Sequence, residues 1–356
     1  MRTIIIAAIA LAFVGAAHAT PQSAQRSCAF NMRLSQARCA RLYSTPVHGR
    51  AGGWTRDTAS SSTLLYASDP FNDAVDIETV TSKGFTHSGS LTIAGALPLG
   101  LTVDHDQNLY VAGAVLTSGT PSVQVFPRGS TKPSKTYTSG LTGPIDVAVD
   151  QHGTVYVSNL LDPKGGGCGE GSGPGGSVVE YAKGSMKPTH TISGFPGCPN
   201  GVAVDSKSNL YLTYIYYPTS GFVESDVIEY PYGSTKGKAL GLEVPGGPEL
   251  GGLAFDAKGD LLVENVQDDA TLNQLLTFPQ GSKTPTNTIQ YGGTGWASFK
   301  YFALDGNRYF APAYIAENLS YVPSPAAAFE YPSGRQLFAQ TTPLAFAYGI
   351  ALSPGK

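Results

Sequence analysis

The side chains in this sequence that could do chemistry are few and lie far apart along the chain. Asp69, Asn159, Asn200 and Asn265 offer hard oxygen ligands of the kind that surround Ca²⁺. Three of them follow short apolar runs, where Asp and Asn also serve a plainer purpose, capping a strand end as the chain turns. A second group is Asp146, Lys300, Tyr301 and Tyr348, again with Asn200. Such a mix of acid, amine, amide and phenol suits a pocket for a small polar ligand or a sugar. The same side chains would equally plug a channel. Other catalytic patterns are missing. There is no G-x-S-x-G turn for a nucleophilic serine. His48, His87, His105, His152 and His190 show no metal-pair spacing. The glycine run Gly165–Gly171 lacks the Gly-Lys-Ser/Thr of a phosphate-binding loop and reads as a surface loop.

These residues can meet only if the fold brings them together, and an internal repeat supplies the means. One phrase occurs six times: Leu101-Thr102-Val103-Asp104, then the stretches beginning at Val147, Val202, Leu253, Phe302 and Ile350, at intervals of 46 to 55 residues. That period fits one four-stranded propeller blade per repeat. Large apolar residues flank Thr or Ala in every copy, as expected of an innermost strand buried on both faces where chains crowd toward an axis. The Asp that follows five of the six can bond backbone N–H groups in a hairpin turn. A second strand comes next, as in Leu109-Tyr110-Val111 and Val155-Tyr156-Val157. A third ends in an aromatic, as at Phe126, Tyr181, Tyr230 and Phe278. Gly-Ser pairs at Gly129, Gly184, Gly233 and Gly281 then mark outer hairpin turns.

The ends fix the blade count. The sixth inner phrase, at Ile350, has no strands after it. The segments Leu64–Ala67 and Ala74–Ile77 look like second and third strands with no inner strand before them. Each fragment completes the other. The expected fold is all-β, a six-bladed β-propeller closed by pairing its N- and C-terminal strands, which removes an open edge. In this register Asp69, Asn159 and Asn265 follow the second strands at the channel mouth, and Asn200 joins the second group where the inner strands begin.

Residues 1–19 read as a secretory signal peptide, with Arg2, an apolar run from Ile4 to Val14 and an Ala17-His18-Ala19 cleavage pattern. Residues 20–60 form an N-terminal extension, and 61–356 the propeller. The expected location is secreted or periplasmic, with no membrane span. Cys28, Cys39, Cys168 and Cys198 suit disulfides in an exported chain; proximity favours Cys28–Cys39 and Cys168–Cys198 among the three pairings. The formal net charge is −3, and Lys and Arg are scattered without a basic stripe, so a nucleic-acid partner is not expected.

Pro199-Asn200-Gly201-Val202-Ala203-Val204-Asp205, followed by Asn209-Leu210-Tyr211-Leu212, resembles an NHL repeat, and the resemblance covers about residues 61–356. It implies the propeller fold and leaves function open. Six-bladed relatives include lactonases of the SMP-30/gluconolactonase group and extracellular binding propellers; streptogramin-lyase-like proteins are more usually seven-bladed. The lactonases hold a divalent cation on residues just before the inner-strand glycine. That column here reads Leu99, Ile145, Asn200, Gly251, Lys300 and Tyr348, and only Asn200 matches. The expectation is therefore a non-enzymatic propeller without a cofactor, binding an extracellular protein, peptide or glycan. The alternative is a metal-dependent lactonase-like hydrolase, or a streptogramin-lyase-like enzyme, with Ca²⁺ on Asp69, Asn159, Asn200 and Asn265.

Overall fold

A computed structural model describes residues 62–355, leaving out 71–72, 116–118, 162–174, 217–223, 246–248, 266–272, 292–295, 298–301, 307, 318–319 and 340–347. Cys28, Cys39, Cys168, Lys300 and Tyr301 lie outside the described residues, as do residues 1–19, expected to be a signal peptide, and all of the extension 20–60. Every element among the described residues is a strand, and the strands form six antiparallel sheets. The molecule is a six-bladed β-propeller. Its inner strands are Leu97–Val103, Pro144–Val149, Cys198–Val204, Leu250–Phe255, Ala303–Asp305 and Ile350–Ser353. In the sixth blade Trp296–Ala297 also pairs with the second strand, so the inner position is shared by two pieces.

The large–small–large triplet acquires a geometric reason. Its two large residues pack against the preceding blade, and its small residue receives the following one. Val147 and Val149 join Tyr110 and Val123 of the blade before. Ala148 faces Val202 and Leu212 of the blade after. Ala203, Ala254, Ala303 and Ala351 repeat the arrangement around the ring. Close to the axis two large side chains cannot oppose each other at each seam, and interiors tolerate neither overlap nor voids.

The turns are equally regular. Backbone N–H groups of Asn108, Thr154, Asn209 and Asp260 donate to the carboxylates of Asp104, Asp150, Asp205 and Asp256, at 2.8 to 3.0 Å. In the outer turns the Ser130, Ser185, Ser234 and Ser282 hydroxyls each accept from the N–H two residues on and donate to that residue's carbonyl.

The ring closes as expected. Leu64, Leu65, Tyr66 and Ala67 pair with Ser353, Leu352, Ala351 and Ile350. Arg128, from the outer turn of the second blade, staples the seam. Its guanidinium donates to the carbonyls of Ser353 at 3.0 Å and Pro354 at 3.1 Å, and to that of Ser62 at the other end of the described chain. One side chain thus holds both ends of the ring.

The candidate axial site

The mouth of the channel is built from a bulge in the inner strands. Pairing with the second strand slips between Pro98 and Leu101, Pro144 and Asp146, Pro199 and Val202, and Leu250 and Leu253. A bulge adds twist and re-aims the residues within it. Here it pushes each inner strand against its neighbour. A Cβ added to Gly201 would lie 2.7 Å from the Gly251 carbonyl oxygen. One added to Gly100 would lie 2.6 Å from the Asp146 Cα and the Ile145 oxygen. The glycines before the inner strands therefore mark the contact between blades.

Asp146 occupies the glycine position of its own blade and is buried. Its carboxylate accepts from the Val202 N–H at 2.9 Å, in the next inner strand. Asn200 is buried too; its amide donates to the Leu250 carbonyl at 2.9 Å, and its own carbonyl accepts from the Ser158 hydroxyl at 2.7 Å. Tyr348 is buried at the seam, where its N–H donates to the Ser68 carbonyl at 3.0 Å. Asp146 and Asn200 are thus brought to one ring of contacts, but toward neighbouring backbone. Below them a cavity of about 300 Å³ runs along the axis, lined by the apolar triplets of all six inner strands. Thr102 and Asp146 are the polar side chains on its wall.

Of the residues offered as oxygen ligands, Asn159 and Asn265 serve their own blades. Asn159 Oδ1 accepts from the Thr142 N–H at 3.0 Å, and its amide donates to Ser177 Oγ at 3.3 Å. Asn265 repeats this, accepting from the Glu249 N–H at 2.8 Å and donating to Gln274 at 3.2 Å. Both hold the chain leading into their blade's inner strand. Asp69 is buried in the first blade, where its charge helps raise Asp76. Among the described residues no group of three or more His, Cys, Asp or Glu side chains is placed to hold a metal ion. In the column that carries the cation in lactonase-like propellers, Asn200 already bonds Leu250, and Leu99, Ile145 and Gly251 have no oxygen side chain to offer. These residues do not fit a divalent cation.

A further column, missed in the sequence, lies one residue before the strand-end caps and faces the bulge. Ser68 Oγ accepts from the Gly349 N–H at 2.6 Å and donates to the Leu99 carbonyl of the next blade at 2.7 Å. Thr213 Oγ1 accepts from the Gly201 N–H at 2.8 Å and donates to the Gly251 carbonyl at 2.8 Å. With Ser158 these hydroxyls clamp blade to blade. The signal was present: Ser or Thr precedes the cap position in three repeats. In the fifth blade Glu264 stands there, fully buried; burial, then its charge, pushes the Tyr309 phenol up.

Cys198, at the start of its inner strand, is a buried thiol in no disulfide among the described residues. Its expected partner, Cys168, lies outside them.

Burial pushes Asp146 up to about 8, and the N–H groups of Val202 and Val147 only partly oppose this. The sign follows from linkage. The folded state keeps a proton that the unfolded chain releases near pH 4, so this group's contribution to stability is full below about pH 4 and is lost as pH rises toward 8. The slope for one proton is about 1.4 kcal/mol per pH unit. Asp146→Asn is expected to flatten this part of the profile, measured as urea midpoints at pH 5 and pH 8. Identical profiles for the two proteins would contradict the assignment. Asp76, pushed to about 7 by burial and then by Asp69, contributes a similar slope that the variant retains.

Among solved structures the chain is similar to one in a nidogen/laminin complex, with a TM-score of 0.58 and 16% identity over 83% of this chain and 99% of that one. A protein of unknown function from Bacteroides caccae gives 0.57 and 13%, over 82% and 99%. A functionally unknown protein from Desulfotomaculum acetoxidans DSM 771 gives 0.52 and 11%, also over 82% and 99%. These likenesses concern the fold. No family model and no curated protein matches the chain.

Proposed function

We propose that this chain is an exported, NHL-type propeller that binds a protein, peptide or glycan and carries out no chemistry of its own. The observation supporting this reading is the use made of the mouth. Asp146 and Asn200, the polar residues best placed to act there, are bonded to the backbone of the next blade. Recognition then belongs to the loops around the mouth. The connections between second and third strands vary from the short 318–319 to the long 160–176, whereas no turn at the other end is longer than the eight residues 127–134. Variable loops on a rigid ring are the usual carriers of binding. A chain of this fold occurs in a nidogen/laminin complex, so the fold is compatible with protein assembly. The test is metal content and lactone turnover of protein purified from the exported fraction, together with N-terminal sequencing. The expected result is an N-terminus at Thr20, substoichiometric metal and no turnover. Stoichiometric Ca²⁺ or Zn²⁺ with lactone hydrolysis would replace this reading with the lactonase-like one.

A further inference from the structure

In the linear sequence the lysines look scattered; the repeat gathers them. In an up-and-down blade, the turn joining inner to second strand and the turn joining third to outer strand emerge at the same end. Contacts confirm it: Tyr232 of one outer turn packs on His152 of the neighbouring blade's inner turn, with ring centroids 5.3 Å apart. Lys83, Lys132, Lys183, Lys187, Lys236 and Lys283 lie in outer turns. Lys207 and Lys258 lie in inner turns, and Lys135 and Lys238 open outer strands. These are all the lysines among the described residues, and every one is exposed. In the folded chain the repeat spacing puts the described lysines on one face, spread around it and not in a stripe.

Of the described carboxylates at that end, Asp106 and Glu243 are exposed and the others are recessed behind the lysines. Those of Asp104, Asp150, Asp205 and Asp256 accept from their own turns. Asp305 pairs with Arg308 and Glu330 with Arg335; Glu180 accepts from Thr189, Glu229 from Tyr211 and Glu243 from Thr284, while Asp106 lies against His105 and Asp260 stands two residues from Lys258. No lysine makes an ion pair among the described residues. The opposite end carries Asp73, Glu224 and Glu249 and no described lysine. A second feature shares the lysine face. The exposed large hydrophobic side chains of the described residues are Met186 and Tyr232, 42% and 53% accessible. Both sit in outer turns, Met186 beside Lys187 and near Lys183, Tyr232 four residues from Lys236.

We propose that this turn-bearing face docks on an anionic lipid bilayer, with the lysines at the headgroups and Met186 and Tyr232 in the interface. Shape and chemistry favour this occupant over a linear polyanion. Charges spread around five of the six blades match a plane, whereas a nucleic acid or extended polysaccharide would engage a stripe. Lysine acts as a point charge without geometric readout, and the arginines at this end are tied to Glu330, Asp305 and the chain ends. Tyrosine is favoured at the membrane–water boundary, and a basic face with apolar tips is the signature of reversible surface binding. Attachment by this face leaves the mouth and its variable loops pointing away from the bilayer.

The test is co-sedimentation of the full chain with vesicles of phosphatidylcholine containing 30% phosphatidylglycerol, against pure phosphatidylcholine. Binding is expected only to the anionic vesicles and is expected to fall in 0.5 M NaCl. Each of Lys132→Ala, Lys187→Ala and Lys236→Ala is expected to weaken it about fivefold, the factor for ~1 kcal/mol per basic residue near an anionic surface. Met186→Ser with Tyr232→Ser should weaken binding without changing its salt dependence. All these sites are exposed, and an unchanged melting temperature confirms that each variant is folded. Equal binding to neutral vesicles, no binding, or insensitivity to the lysine changes would overturn the proposal. Retention on heparin without vesicle binding would assign the face to a soluble polyanion and overturn it too.

Discussion

Removing residues 348–356 is expected to leave a chain that no longer folds as a monomer. The deletion takes away the inner strand of the first blade and with it the pairing of Leu64–Ala67. Ile350 and Ala351 leave their places between blades, where they are 2% and 4% exposed. Ser68 loses the Gly349 N–H, and Arg128 loses the Ser353 and Pro354 carbonyls. Burial of one residue such as Ile350 is alone worth about 2–5 kcal/mol. The whole strand approaches the ~5–15 kcal/mol that keeps a domain folded. The slot left behind is apolar and presents an open strand edge, which invites a second chain. Light scattering and thermal unfolding would decide the matter: a monomer with the parent's melting temperature would refute closure by this strand.

The second large effect is expected at the glycines between inner strands. A Cβ on Gly349 would penetrate the Leu99 carbonyl oxygen, and one on Gly100 would meet backbone of Ile145 and Asp146. Backbone cannot rotate aside, so relief requires two blades to move apart and loosens every contact along their seam. Gly349→Ala and Gly100→Ala are each expected to cost about 3 kcal/mol, the upper part of the overpacking range. In a domain of this size that lowers the melting temperature by about 6–12 °C. Gly184→Ala is the comparison. Its Cβ would meet nothing within 4 Å, but its φ of 80° is unfavourable for alanine. It should cost only about 1–2 kcal/mol. Equal effects at Gly184 and Gly349 would mean that strain in the turn, and not the spacing of blades, explains the glycines.

Much of this architecture was legible because the repeat states it six times. The triplet around Ala148 or Ala203, the Asp turns and the orphaned phrase at Ile350 each depend on local chain geometry that sequence spacing reports directly. The site was less legible, because its register is set by contacts between blades. Asp146 looked like a departure from a glycine column that opened into a mouth. In the structure that column is a joint, and Asp146 fits because Gly100 beside it has no side chain. The Ser68, Ser158 and Thr213 clamps were hidden for the same reason: each bonds a strand from the next repeat, 31 to 42 residues away along the chain. The lysine face went unseen because it appears only when the repeats are stacked.

Closing the ring through Ser68 and Gly349 joins positions 281 residues apart, and this has a bearing on how the protein folds. Blades two to six are built from chain neighbours whose hairpins can form early and locally. The first blade has to wait. Its strands emerge first, yet they lack an inner partner until the far end of the chain returns. The entropy of drawing those ends together amounts to about 5 kcal/mol for a loop of that length. Assembly is thereby divided into many fast local steps and one late encounter, and the folding rate is governed by the encounter. Throughout that wait Leu64–Asp69 presents an unpaired edge, so the time spent unclosed is when the chain is most exposed to association with its own copies.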